Sequence, residues 1–306
     1  MPFKEIFINR FAEVRVGWRL LSFLLLVASG LLVLGVPLKM LGARGEFIGS
    51  LVGLAATLGA TFVAMRFINK KSFGACGLSL HPNTLSEFAI GCLLGFLMMS
   101  GVFVIELMSG YVHMVWRGYP LLECLKVLGY SLVFFAVAAF MEEVFFRGYV
   151  FQTLIQWVTF LPAVVAFSVL FAYAHYFNPN VTMLSLVNVG LAGVWLSVAY
   201  MKTRSLWLPF GLHLSWNFSQ TSLYAFPTSG GSLEGQKLWD SVQTGPVWVT
   251  GGAFGPEGGV LATVALIVGT WYILKSTYVR APEGIVTLDS VEDLLPRPEG
   301  TETEST

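Results

Sequence analysis

The chain has 306 residues, of which 55% are hydrophobic and only 12% charged, and its mean hydropathy is +0.71. Soluble chains carry about a quarter charged residues, so this composition excludes an ordinary aqueous domain and points to a membrane. The formal net charge is zero, which leaves no basic surplus for a nucleic-acid partner and no acidic surplus for a basic one.

A helix needs about 20 apolar residues to cross about 30 Å of hydrocarbon. In chain order, the apolar runs at 20–41, 47–68, 88–109, 121 to about 157, 161–176, 183–200, 206–224 and 259–276 meet or approach that length. The fold class expected is therefore all-α, a polytopic transmembrane bundle of about eight helices. The first run is too long for a signal-peptide core and lacks an A-x-A site, so it reads as a retained anchor. The fourth run could hold two short helices or one that extends past the membrane.

Basic residues set the expected orientation. Lys4, Arg10, Arg15 and Arg19 precede the first span. Arg66, Lys70 and Lys71 close the second, Lys202 and Arg204 the sixth, and Lys275 and Arg280 the eighth. Eight crossings put all four groups on one side, so both termini are expected in the cytoplasm of a multi-pass cell-membrane protein. Counting 121–157 as one crossing is part of that agreement. Lys39, Arg44, Arg117, Lys126 and Lys237 scatter toward the other side.

Residues 1–280 then form one transmembrane domain, with the chemistry between about 120 and 225. The Gly-, Pro- and Ser-rich stretch 225–258 reads as an outer connector whose glycines suit tight turns. Residues 281–306 are acidic and have little to bury, and a disordered cytoplasmic tail is expected. Cys76, Cys92 and Cys124 lie in or beside apolar runs and read as small core hydrophobes.

Ionisable groups inside spans are costly and are functional candidates by default. They gather at Phe140-Met-Glu142-Glu143-Val-Phe-Phe-Arg147, at Phe171-Ala-Tyr-Ala-His175 and at His213-Leu-Ser-Trp-Asn217. Glu143 and Arg147 are i,i+4 and can pair. Glu142, about 100° round the helix, is left without a local cation and free to take a proton from water. His213 and Asn217 share a face and could bond each other. Counted from the inner helix ends at 1.5 Å per residue, Glu142 lies about 22 Å deep, His175 about 21 Å and His213 to Asn217 about 11–17 Å. These groups are expected to line one cavity between the fourth and seventh spans, opening to the cytoplasm and sideways to lipid. By contrast, Glu106 reads as structural or water-facing. Glu123, Lys126, His81 and His113 read as interface residues.

Several membrane chemistries are missing. There is no His-Glu-x-x-His string, no Gly-x-Ser-x-Gly elbow and no P-loop. The only aspartates, Asp240, Asp289 and Asp293, fall outside the spans. No metal and no cofactor is expected.

The three motifs, in this order on separate spans, resemble those of the CAAX-protease and bacteriocin-processing (CPBP, or Abi) family. That resemblance covers about residues 120–225 and implies a metal-independent glutamic endopeptidase within the membrane. It implies that Glu142 activates water, Glu143 supports it and Arg147 holds the geometry. His175 would orient the water or polarise the scissile carbonyl, and His213 and Asn217 would donate to the oxyanion. The partners implied are a peptide or membrane-anchored protein substrate and the lipid bilayer. From the residues alone, two other readings stay open: a proton-coupled transporter, and a non-catalytic membrane scaffold or immunity protein.

Overall fold

A computed structural model describes residues 6–9, 13–43, 45–231, 233, 235 and 237–288. It is an all-α polytopic bundle. Five helical stretches are long and apolar enough to span a membrane. These are α1 (Val16–Met40), α2 (Glu46–Val63, carried on to Asn69 by a π-helical turn), α3 (Thr84–Met108), the 38-residue stretch Leu121–Val158, and α7 (Met183–Thr203). Leu121–Val158 is a single path made of α4 (Leu121–Glu143), a π-helical turn (Val144–Val150) and α5 (Phe151–Val158). Shorter apolar helices supply the rest: α6 (Phe160–Ala174), α8 (Trp207–Phe218, extended by a π turn over Ser219–Leu223) and α10 (Val260–Lys275). A short helix α9 (Val247–Thr250) lies just before α10. Each expected run thus carries helix, and the outward faces are apolar, with Leu25, Leu32, Val33 and Val169 exposed as lipid-facing side chains must be.

Cross-links between distant segments define two ends of the bundle. At one end Arg19 bonds Gln156, Tyr149 bonds Asn69, the Leu206 amide bonds the Gly77 carbonyl, and Lys202 reaches the Ser276 carbonyl. The described basic residues of the four groups sit in or beside these segments, so they converge on one end.

The stretch expected to open a disordered tail packs here too, as far as residue 288. Leu288 is fully buried in the cluster of Phe23, Cys76 and Tyr149, and its amide donates to the Ala75 carbonyl and to Gln152. Its apolar side chain fills a cleft that sequence acidity conceals. Residues 289–306 of that expected tail lie outside the described residues.

At the opposite end the expected connector is more ordered than a plain loop. Strand β1 (Val112–Trp116) pairs antiparallel with β2 (Trp239–Gln243), so the segment after α3 is tied to the segment after α8. Arg117 clamps Asp240 at 2.6 Å beside that ribbon. The five-residue strands are too short to announce themselves among longer apolar runs.

The tightest helix crossing is α3 on α8. A Cβ on Gly91 would sit 2.4 Å from the Leu208 carbonyl oxygen, and one on Gly211 would sit 2.4 Å from that of Phe88. Small residues let membrane helices touch backbone to backbone, where van der Waals contact replaces the missing hydrophobic drive. This crossing fixes the height of α8, and with it His213 and Asn217.

Candidate active site

Local sequence explains how each group is presented. The π-helical turn begins directly after Glu143. Such single turns widen a helix and are frequent at functional sites. His175 is the C-terminal cap residue of α6, where the helix stops and a side chain can turn inward. A second π turn starts two residues after Asn217.

Glu143 and Arg147 are both fully buried, and Arg147 Nη1 donates to Glu143 Oε1 at 3.0 Å. The guanidinium also lies against three aromatic rings, 4.4 Å from the Phe171 centroid, 4.9 Å from that of Phe167 and 5.9 Å from that of Phe146. Cation–π contact of this kind gains most when desolvated. The same Glu143 oxygen accepts from His213 Nδ1 at 2.8 Å. Glu143 is therefore a hub joining α4 to α8.

Glu142 is different. Its side chain is 26% exposed, toward the cavity, and makes no pairing with Arg147. His213 Nε2 approaches its Oε2 at 3.9 Å, too long for a hydrogen bond and close enough for an ion pair whenever the ring is protonated; that oxygen is buried without a hydrogen-bond partner. The hydrogen bond considered between His213 and Asn217 is not formed, because Glu143 takes the Nδ1 proton instead. His175 Nδ1 donates to the Phe171 carbonyl at 2.8 Å. A carbonyl can only accept, so the neutral ring keeps a lone pair on Nε2.

Glu142, His175, His213 and Asn217 all line one groove. Its extent corrects two expectations. It takes in the first two spans, through Val27 and Leu31 of α1 and Gly49 and Gly53 of α2, as well as α4, α6 and α8. Its lining reaches Glu46, Asn178, Pro179, Thr228 and Leu233. Every one of these belongs to the end opposite the basic groups, so the groove does not open toward the side expected to be cytoplasmic. The direction in which α8 starts says nothing about which end of the cavity is closed. Closure comes instead from Val144, Phe167, Phe171 and Leu206, buried together beneath the site.

Residues 124–219 match the type II CAAX prenyl endopeptidase Rce1-like family. That segment contains all six residues of the three motifs and bears out the resemblance they carry. The coarse activity this implies is a CAAX-protease-type enzyme in a membrane, acting on a membrane-associated protein or peptide. No curated protein and no solved structure gives a significant match. Among the described residues, no group of three or more His, Cys, Asp or Glu side chains is arranged to hold a metal ion.

Outside the Rce1-like segment lies a residue that sequence reading missed. Glu257, in the Gly-rich stretch, accepts from Trp216 Nε1 at 3.2 Å, from the Ser229 amide at 2.7 Å and from the Ser229 hydroxyl at 3.0 Å. It also lines a smaller pocket with His175, His213 and Asn217. Asn188 of α7 holds the Glu257 and Gly259 carbonyls, both at 2.8 Å. The signal available was a lone carboxylate in a run of glycines, which ordinarily marks only a turn. Glu257→Ala removes the acceptor of the Trp216 and Ser229 donors, at about 1–3 kcal/mol for a buried donor such as that of Trp216. A lower thermal unfolding midpoint in detergent is expected, with partial recovery in Glu257→Gln, which keeps one acceptor. An unchanged midpoint in both variants would remove Glu257 from the support of α8. Glu106, by contrast, is fully buried on α3 and does not line the groove.

Proposed function

We propose that this protein is an intramembrane endopeptidase in which Glu142 activates the attacking water. The observation that carries this reading is the division of labour between adjacent carboxylates. Glu143 is fully buried and holds both Arg147 and His213 on one oxygen, while Glu142 lines the groove with only His213 beside it, at 3.9 Å. A general base must reach its water, and a buried carboxylate already holding two donors cannot do so.

In this mechanism Glu142 takes a proton from water as the oxygen adds to the scissile carbonyl carbon. The tetrahedral oxyanion accepts from the Asn217 amide and, when the ring is doubly protonated, from His213 Nε2. Donors aimed at such charge contribute about 3–4 kcal/mol each. The C–N bond then breaks, and Glu142 returns its proton to the leaving amine. His175, with its Nδ1 proton committed to Phe171, offers Nε2 as an acceptor that orients the water. Arg147 works through Glu143, holding His213 in place.

The test is reconstituted protein incubated with membrane-anchored and lipidated peptides, with and without a chelator. Cleavage products of defined mass, unaffected by chelation, are expected. Loss of cleavage on chelation, restored by zinc, would overturn the metal-free mechanism. Proton flux without any product would favour the transporter.

A further inference from the structure

At the end of the bundle where the basic groups gather, Leu288 fills a cleft lined by Phe23 of α1, Cys76 and Tyr149. Two glutamines one turn apart on α5 grip its backbone. Gln152 Oε1 accepts from the Leu288 amide at 3.1 Å, and Gln156 Nε2 donates to the Leu288 carbonyl. The same amide also donates to the Ala75 carbonyl at 2.7 Å. Each glutamine has a second task. Gln156 Oε1 accepts from Arg19 Nη1 of α1 at 2.8 Å. Gln152, fully buried, donates through Nε2 to the Arg147 carbonyl at 3.2 Å. Arg147 lies in the π-helical turn, its guanidinium bonds Glu143, and Glu143 bonds His213. One line of direct contacts thus runs from the Leu288 amide to the His213 ring.

The attachment is narrow. Residues 281–288 form neither helix nor strand, Val286 is 56% exposed, and only Thr287 and Leu288 of that stretch are buried. A segment with so few buried contacts opens at low free energy, and it can leave without unwinding a helix. Resting on the endopeptidase reading for its chemistry, we propose that Leu288 is a detachable positioning residue for the hydrolysis and that Gln152 transmits its effect. Docked, Leu288 fixes the Gln152 amide, and the Arg147 carbonyl keeps its donor inside a turn whose own hydrogen-bond register is widened. Arg147 then holds Glu143, and with it His213, in one arrangement. Released, Gln152 loses the donor on its oxygen while buried, so its amide turns to find another and the π turn is loosened. Neither residue lines the groove; both act through Arg147 and Glu143. Leu288 also lies outside the matched segment 124–219, so this control belongs to a part of the chain that the family match does not cover.

Leu288→Glu in the full chain places a charge in the apolar cleft and should release the segment. Amide hydrogen exchange in detergent is expected to quicken several-fold at two places, residues 285–288 and the π turn 144–150. Across the α3–α8 crossing, at 91–95 and 208–212, it should stay at the parent's rate. Leu288→Met, which keeps an apolar side chain, should leave both places protected. In the cleavage assay, Leu288→Glu should lower kcat about tenfold with KM near the parent's, the pattern of an interaction felt only in the transition state. A synthetic peptide of residues 281–306, added to the Leu288→Glu chain, should restore the protection of 144–150 and the kcat, and should saturate. The same peptide carrying Leu288→Glu should do neither. Faster exchange confined to 285–288, faster exchange that extends to the α3–α8 crossing, or an intact peptide without effect would each overturn the proposal. Exchange and peptide docking are read without turnover, so failure of the Glu142 mechanism would show only in the cleavage assay.

Discussion

Glu142→Gln should lower the rate of peptide cleavage by about 100-fold or more, the scale on which a positioned general base contributes. The amide is nearly isosteric and cannot take a proton from water. Because Glu142 is partly exposed to the groove and holds no ion-pair partner in Arg147, the fold should survive with an unfolding midpoint close to the parent's. Glu143→Gln should behave differently. It removes the charge that anchors both Arg147 and His213, so stability and activity should fall together. A well-folded Glu142→Gln protein with normal turnover would remove Glu142 from the chemistry.

Arg147→Met should be the most destabilising single change in the site. It leaves Glu143 as a buried carboxylate without its cation, a loss of about 3–5 kcal/mol when one member of a buried pair is deleted. Replacing both members, as Glu143→Gln with Arg147→Met, removes the orphaned charge and should restore much of the unfolding midpoint. The double variant should stay inactive, since His213 loses its carboxylate partner. Unfolding measured in detergent for both proteins checks the pair. Equal midpoints for Arg147→Met and the parent would show that the aromatic rings and Glu143 draw no stability from the guanidinium.

Much of this was legible in the chain itself, for identifiable reasons. Long apolar runs and the cost of buried charge are local signals, so the helices and the three polar clusters could be read from spacing alone. The i,i+4 pairing of Glu143 with Arg147 followed from helix geometry and is present. What escaped depends on chain segments far apart in sequence. His213 could have bonded Asn217 on its own helix, but Glu143 sits 70 positions away and is the stronger acceptor. The open end of the groove depends on which helices leave a gap, a property of packing that hydropathy does not encode. Glu257 and the β1–β2 ribbon sit in a stretch whose composition resembles a linker, and only tertiary contact gives them a task. Gly91 and Gly211 were invisible for the opposite reason, since single glycines in apolar helices attract no notice until two backbones meet.

That glycine crossing has a mechanical meaning. With carbonyl oxygens of one helix pressed against the Cα surface of the other, α3 and α8 have no slack to slide or separate without losing contact along their shared face. His213 and Asn217 therefore ride on the fixed jaw of a vice. The opposite wall, made by α1 and α6, can move only as two packed pairs, since Gly30 of α1 lies against Ala56 of α2 and Gly193 of α7 against Ser168 of α6. Admission of a substrate should displace those pairs as units, leaving His213 and Asn217 stationary while the wall beside Glu142 gives way.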